Sequence, residues 1–266
     1  MEKAFSEANA SLVSLLAQVQ NCYREGDFQN SLILCKICLM AYEEEYGPDD
    51  IKTMAVVQQL GLLLRKMSRT DEAEPYYHRC LRGFEKILGP DHECTLTQYN
   101  NTANLLKAQG KFSEARPLCE KALRGLERVC GLEHEATLMA MNDFAVTLEM
   151  EGKLAELVGE HDKAKEKYLE AKVVYERALQ AFENLLGPHH PTSLGVVGNL
   201  ADICFYLKEY QMAFFFKEKA IDGLQIRLGP MHPDTVSKVA SYALILLQVD
   251  DFDKAEPYCD RAAQGK

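Results

Sequence analysis

Five near-copies of one loop punctuate the chain: Gly47-Pro48-Asp49-Asp50, Gly89-Pro90-Asp91-His92, Gly131-Leu132-Glu133-His134, Gly187-Pro188-His189-His190 and Gly229-Pro230-Met231-His232. The leading glycines stand 42, 42, 56 and 42 residues apart, so the odd interval is one period plus 14 residues. A repeat of that length is one supersecondary unit, too small to bury its own apolar face, and a core forms only when neighbours stack. A stacked array offers extended surfaces for binding rather than one enclosed pocket for chemistry. The expectation is a single repeat domain over residues 1–266.

Within each unit two apolar stretches flank a short turn. The first begins at Thr53, Thr95, Thr137, Ser193 and Thr235, hydroxyl residues where a helix N-cap is expected. Its apolar positions step by three and four: Val57, Leu60, Gly61 and Leu64 align with Tyr99, Thr102, Ala103 and Leu106, which is a helical period. The turn reads Gly110-Lys111-Phe112-Ser113-Glu114-Ala115 and, in the last unit, Asp250-Asp251-Phe252-Asp253-Lys254-Ala255. Ser113 and Asp253 are the expected caps of the second helix. Pro75, Pro117 and Pro257 then fall near its first turn, where a missing N–H costs least. Cys80, Ala122, Ala178, Ala220 and Ala262 form one column of small residues, suited to close helix approach. The fold class is all-α, about six helix pairs, with a degenerate first unit at about 11–46 and repeats over about 47–264.

The surplus in the long interval divides evenly. A second turn signal, Gly159 to Ala164, matches Gly110 to Ala115, and residues 154–167 split into seven on each side. Seven residues are close to two helical turns, so both helices of this unit should lengthen by about 10 Å without losing register.

Composition excludes several classes. The chain is 47% hydrophobic and 26% charged, enough apolar surface for a core and unlike a disordered segment. Its apolar runs are too short to span a bilayer. The start Met1-Glu2-Lys3-Ala4-Phe5 lacks a basic region and a signal-peptide apolar stretch, so the expectation is a soluble, cytoplasmic protein. A formal charge of −10 disfavours nucleic acid as main partner, since phosphate binding needs a concentrated basic surface. A membrane-surface role has no support either.

Cys35-Lys36-Ile37-Cys38 has metal or redox spacing, but the second pair of a structural zinc site is missing. Seven of the nine cysteines share columns that face helix interfaces, which reads as small core hydrophobes, reduced in an intracellular compartment. His92, His134, His190 and His232 recur once per unit, so their copies diverge along the stack instead of converging on one metal. No nucleophile elbow, phosphate-binding loop or acid pair stands at a meaningful spacing. Neither catalysis nor a cofactor is expected.

The candidate site is a groove lined by first helices. One ladder is Gln58, Asn100, Asn142, Gly198 and Ala240, its neighbour Gln59, Asn101, Asp143, Asn199 and Ser241, and one turn on lie Leu62, Asn104, Val146 and Asp202, then Arg65, Lys107, Glu149 and Phe205. Amides donate and accept, which suits holding an extended peptide backbone. The candidate peptide-binding set is Leu62, Arg65, Asn100, Asn101, Asn104, Lys107, Asn142 and Asn199. Arg65, Lys66 and Lys107 precede Asp143, Glu149 and Asp202, so the N-terminal half is expected to prefer acidic, partly aromatic peptides.

The paired small residues Gly61/Ala103/Ala145/Ala201/Ala243 and Ala73/Ala115/Ala171/Ala213/Ala255 resemble those of the tetratricopeptide repeat. The phrases Tyr99-Asn100-Asn101-Thr102-Ala103, Gly110 to Leu118 and Leu88-Gly89-Pro90-Asp91-His92 look like the 42-residue repeats of kinesin light chains. The resemblance covers roughly residues 47–264 and implies a right-handed α-solenoid and a protein–protein adaptor. It places Leu62, Arg65 and Asn100 at positions similar to those contacting cargo peptides with a tryptophan beside acidic residues. The carboxylate-gripping pattern of co-chaperone repeats is not reproduced, since Gln58 and Leu62 occupy its first two places. The stretch before Gln20 is too short for the family's heptad region, and the chain stops at Gly265-Lys266 without a polar cap. The chain is then a lone repeat domain, a fragment, or a different protein sharing the repeat, and the alternative functions are a structural subunit using its convex face or stack ends and, after it, a co-chaperone-type adaptor.

Overall fold

The structure is a computed structural model that describes the backbone of residues 2–264 and the side chains of residues 12–263. Expectations resting on Met1 or on Gly265 and Lys266 lie outside the described residues. Twelve helices are described: α1 Glu2–Arg24, α2 Phe28–Tyr46, α3 Ile51–Lys66, α4 Thr70–Leu88, α5 Glu93–Ala108, α6 Phe112–Cys130, α7 Glu135–Leu157, α8 His161–Leu186, α9 Pro191–Tyr206, α10 Tyr210–Leu228, α11 Pro233–Gln248 and α12 Phe252–Gln264. They form six helix pairs, with no strand among the described residues. None of these helices is long and apolar enough to cross a membrane. The chain divides into two compact units, residues 1–129 and 130–266.

In the first unit Leu32, Leu60, Leu64, Tyr77 and Phe84 belong to one buried apolar cluster, to which α1 contributes Leu12 and Val19. In the second unit Leu138, Met141, Tyr175, Phe182, Leu200 and Ile203 are buried, and Ile221, Val239, Tyr242 and Leu246 cluster at its last hairpin. The two helices of a pair approach closely. A Cβ added at Gly83, Gly125 or Gly223 would lie 2.3, 2.3 or 2.5 Å from Met54, Leu96 or Leu194 of the preceding helix.

The insertion is divided as expected. First helices α3, α5, α9 and α11 have 16 residues and α7 has 23; second helices α2, α4, α6 and α10 have 19 and α8 has 26. Each partner gains seven, and the lengthened pair stays in contact through Gly152, where a Cβ would fall 2.6 Å from the Tyr168 ring.

Three local expectations are corrected. The first-helix caps are not the hydroxyl residues but Asp50, His92, His134, His190 and His232, whose side chains accept from the backbone N–H two residues on. Nδ1 is the accepting atom in each histidine, at 3.2–3.3 Å. Thr53 and Ser193 sit inside the helix and donate instead to the loop carbonyls of Gly47 and Gly187, at 2.8 and 2.9 Å. The histidines recur because each helix start needs an acceptor.

Second, Ser113 and Asp253 already lie within α6 and α12. The cap comes earlier, as at Asp27, which accepts from Asn30 N–H at 3.1 Å. Third, Pro75, Pro117 and Pro257 sit in the second turn, inside the helix. Each deletes one ladder bond, to the carbonyl four residues back, and Pro75 and its carbonyl partner Asp71 are both exposed, so water can replace the lost donor.

Candidate peptide-binding surface

In the first unit the expected groove residues stand on α3 and α5, and the helices use part of them for their own cohesion. Gln58 Nε2 donates to Gln98 Oε1 at 3.0 Å, and the buried Gln98 donates onward to the Tyr77 carbonyl at 3.4 Å. Asn100 is 7% exposed, so it belongs to the interior. Asn101, Asn104 and Lys107 are half-buried along the same helix.

Leu62 has a more specific setting. With Gln59 and Leu63 of α3, Ser31 of α2, and Val19, Gln20, Tyr23 and Arg24 of α1 it lines a mainly apolar cavity of about 240 Å³. Ser31 is itself committed, donating to the Val19 carbonyl at 3.0 Å. Arg24 belongs to the last turn of α1 and supplies a cation at the rim. Arg65, one turn beyond Leu62, is half-buried beside Tyr77, whose phenol is pushed up by burial and partly restrained by the guanidinium.

The second unit carries charge beneath the corresponding surface. Glu149 of α7 is buried; it pairs with Lys153 at 2.6 Å and accepts from the Tyr175 hydroxyl at 2.9 Å. Burial, reinforced by the Glu149 charge, pushes the Tyr175 phenol far up, and Asn199 lies within hydrogen-bonding reach of it. Asp202 of α9 pairs with Lys217 of α10 at 2.6 Å, and Lys217 donates also to Ser241 Oγ of α11 at 3.0 Å. The Lys217 side chain is 1% exposed, and burial holds its ammonium below the usual lysine range despite Asp202. Two of the three acids in the expected charge gradient are thus matched to lysines within the fold. Asn142 is half-buried on α7. At Gly198 the ladder has no side chain, and the end of Lys238 lies over it: a Cβ would meet its Nζ at 2.8 Å.

Sequence reasoning missed Gln98, Tyr77, Arg24, Lys217 and Lys238. Lys217 had a signal, being the lysine in a column otherwise made of Cys35, Tyr77, Cys119, Tyr175 and Cys259. Of the cysteines, Cys35, Cys38, Cys80, Cys119 and Cys204 are buried, while Cys22 and Cys259 are half-buried. Burial pushes the Cys35 and Cys80 thiols up to about 12 and those of Cys38 and Cys204 to about 11. Cys35 and Cys38 therefore behave as apolar core groups.

A family model described as tetratricopeptide repeat matches residues 53–118, 99–156 and 154–226. The fold is similar to that of a Podosopora anserina kinesin light chain's nearly identical repeats, at 17% identity and TM-score 0.65, covering 82% of this chain and 96% of that one. It is similar also to BtubC (BKLC) from P. vanneervenii, at 19% identity and TM-score 0.64, covering 99% and 89%. The apo form of RapI shares the fold at 12% identity and TM-score 0.66, over 96% and 97%. No curated protein sequence matches the chain.

Proposed function

Because the chain belongs to the tetratricopeptide repeat family, we propose that it is a non-catalytic adaptor that holds an extended segment of a partner protein along its first helices. The observation that carries this reading is the cavity between α1 and α3. It is mainly apolar, it measures about 240 Å³, and the Leu62 that lines it is a residue singled out from sequence. Arg24 at its rim and Arg65 one turn away favour a segment with acidic residues flanking an apolar or aromatic anchor. Asn101, Asn104 and Lys107 of the same unit would then meet its backbone and remaining side chains, and Asn142 and Asn199 are the candidates that the second unit offers by itself. Buried area rather than charge supplies most of the affinity in such a mode, while charge sets specificity and association rate.

The partner is a protein, not nucleic acid or a bilayer, and the compartment is the cytoplasm. A displayed library of extended peptides tests the reading, with wild type compared against Leu62→Glu and against Arg65→Glu combined with Lys107→Glu. Wild type should enrich acidic sequences containing an apolar anchor. Both variants should lose them at unchanged helicity and with weaker salt dependence. Enrichment that survives both changes would move the site elsewhere.

A further inference from the structure

The insertion builds a surface that shares Phe205 with the first-helix ladder and otherwise lies apart from it. Beyond the length of their counterparts, α7 and α8 overhang the turn joining α9 to α10. Under the overhang Tyr168 and Tyr206 stack, centroids 5.0 Å apart at 17°, and Phe205 meets Tyr210 at 5.6 Å. These four rings, with Lys153, Glu156, Leu157 and Lys208, line an open cleft of about 480 Å³. At the lip of the same cleft Leu157 is 84% exposed, followed by Val158 at 65%. A leucine so exposed at the end of a well-formed helix is apolar surface awaiting a cover.

The cleft therefore carries a projecting apolar knob and an aromatic hole within one patch. Apart from Lys153, which is paired with Glu149 at 2.6 Å, it carries one charge of each sign. Glu156 accepts from the Tyr168 hydroxyl at 3.1 Å, and Lys208 makes no ion pair among the described residues. Lys208 has φ 63 at a turn position filled by glycine at 26, 110 and 159 and by Ser68 and Asp250 in the remaining units.

We propose that this arm is a self-association site whose occupant is a second copy of the chain. A two-fold interface uses the same patch on both molecules, so the patch must contain both halves of every contact. This one does. Leu157 of each copy enters the aromatic cleft of the other, and Glu156 of each meets Lys208 of the other.

The test is sedimentation equilibrium of the full chain from low micromolar to several hundred micromolar. Wild type should pass from monomer to dimer across that range, and Leu157→Asp should stay monomeric; Leu157 is exposed enough for that change to leave the fold intact. Glu156→Lys alone and Lys208→Glu alone should each weaken association tenfold or more, by placing like charges together. Mixing those two variants should restore it, because the mixed dimer regains both opposite-charge pairs. A wild type monomeric at every concentration, a Leu157→Asp protein that still dimerises, or a mixture no better than its components would each overturn the proposal.

Discussion

Gln58 and Gln98 join the first helices of consecutive hairpins through one amide–amide hydrogen bond of 3.0 Å, although 40 residues separate them in sequence. The bond shows how a polar residue predicted to face a ligand can be claimed by the next unit. Gln58→Ala should leave the buried Gln98 oxygen without its donor and cost about 1–2 kcal/mol. Gln58→Ala with Gln98→Leu should recover part of that loss, read from the midpoints of urea unfolding.

The histidine caps make a second prediction. His92→Ala or His134→Ala should each cost about 1 kcal/mol, the usual penalty for deleting an N-cap acceptor. His92→Asp should cost little, because Asp50 caps α3 in the same way, accepting from Lys52 N–H at 2.8 Å. Equal losses for alanine and aspartate in thermal unfolding would contradict the capping role.

Lys217 predicts a coupled pair. Lys217→Met removes the cation opposite Asp202 and should cost about 2–3 kcal/mol, less than for a fully buried partner because Asp202 is 28% exposed. Adding Asp202→Asn should return most of it. The pH dependence has a definite sign. Burial lowers the Lys217 pKa in the fold, so between that lowered value and the unfolded one the unfolded chain binds more protons, and stability rises with pH. Wild type should therefore gain on Lys217→Met as the solution is made alkaline; a constant difference in unfolding free energy would refute this.

Thiol reactivity separates core from surface. Thiols held at about 11 to 12 expose only on the order of 10⁻³ to 10⁻⁴ thiolate near pH 8. Cys35, Cys38, Cys80 and Cys204 should react slowly with a disulfide reagent in the native state, and the exposed Cys94 first. Prompt labelling of all nine would contradict their burial.

What could be read from the chain depended on whether the signal repeated in register. The glycine loops fixed the period, and the second turn at Gly159 located the insertion and its even division, because both follow from backbone chemistry that returns every unit. Caps were misplaced because histidine is not a preferred N-cap residue, while the threonines beside it are. Nothing local reveals that Thr53 turns back to the Gly47 carbonyl. The candidate groove was legible as a face but not as a set of free groups. Gln58, Glu149 and Asp202 are engaged by Gln98, Lys153 and Lys217, and two of those three partners come from another helix. The α1–α3 cavity escaped notice because the first unit lacks the signatures by which the others were aligned.

A string of similar units has a problem of degeneracy: a ligand that fits one position fits the next almost as well, displaced by one period. The lengthened α7–α8 pair breaks that translational sameness. It is built once, at a fixed place in the count, and its two whole turns per helix leave the packed faces beneath it unrotated. Anything that touches the arm while lying along the helices can engage in one register, as a vernier is read from its single zero mark.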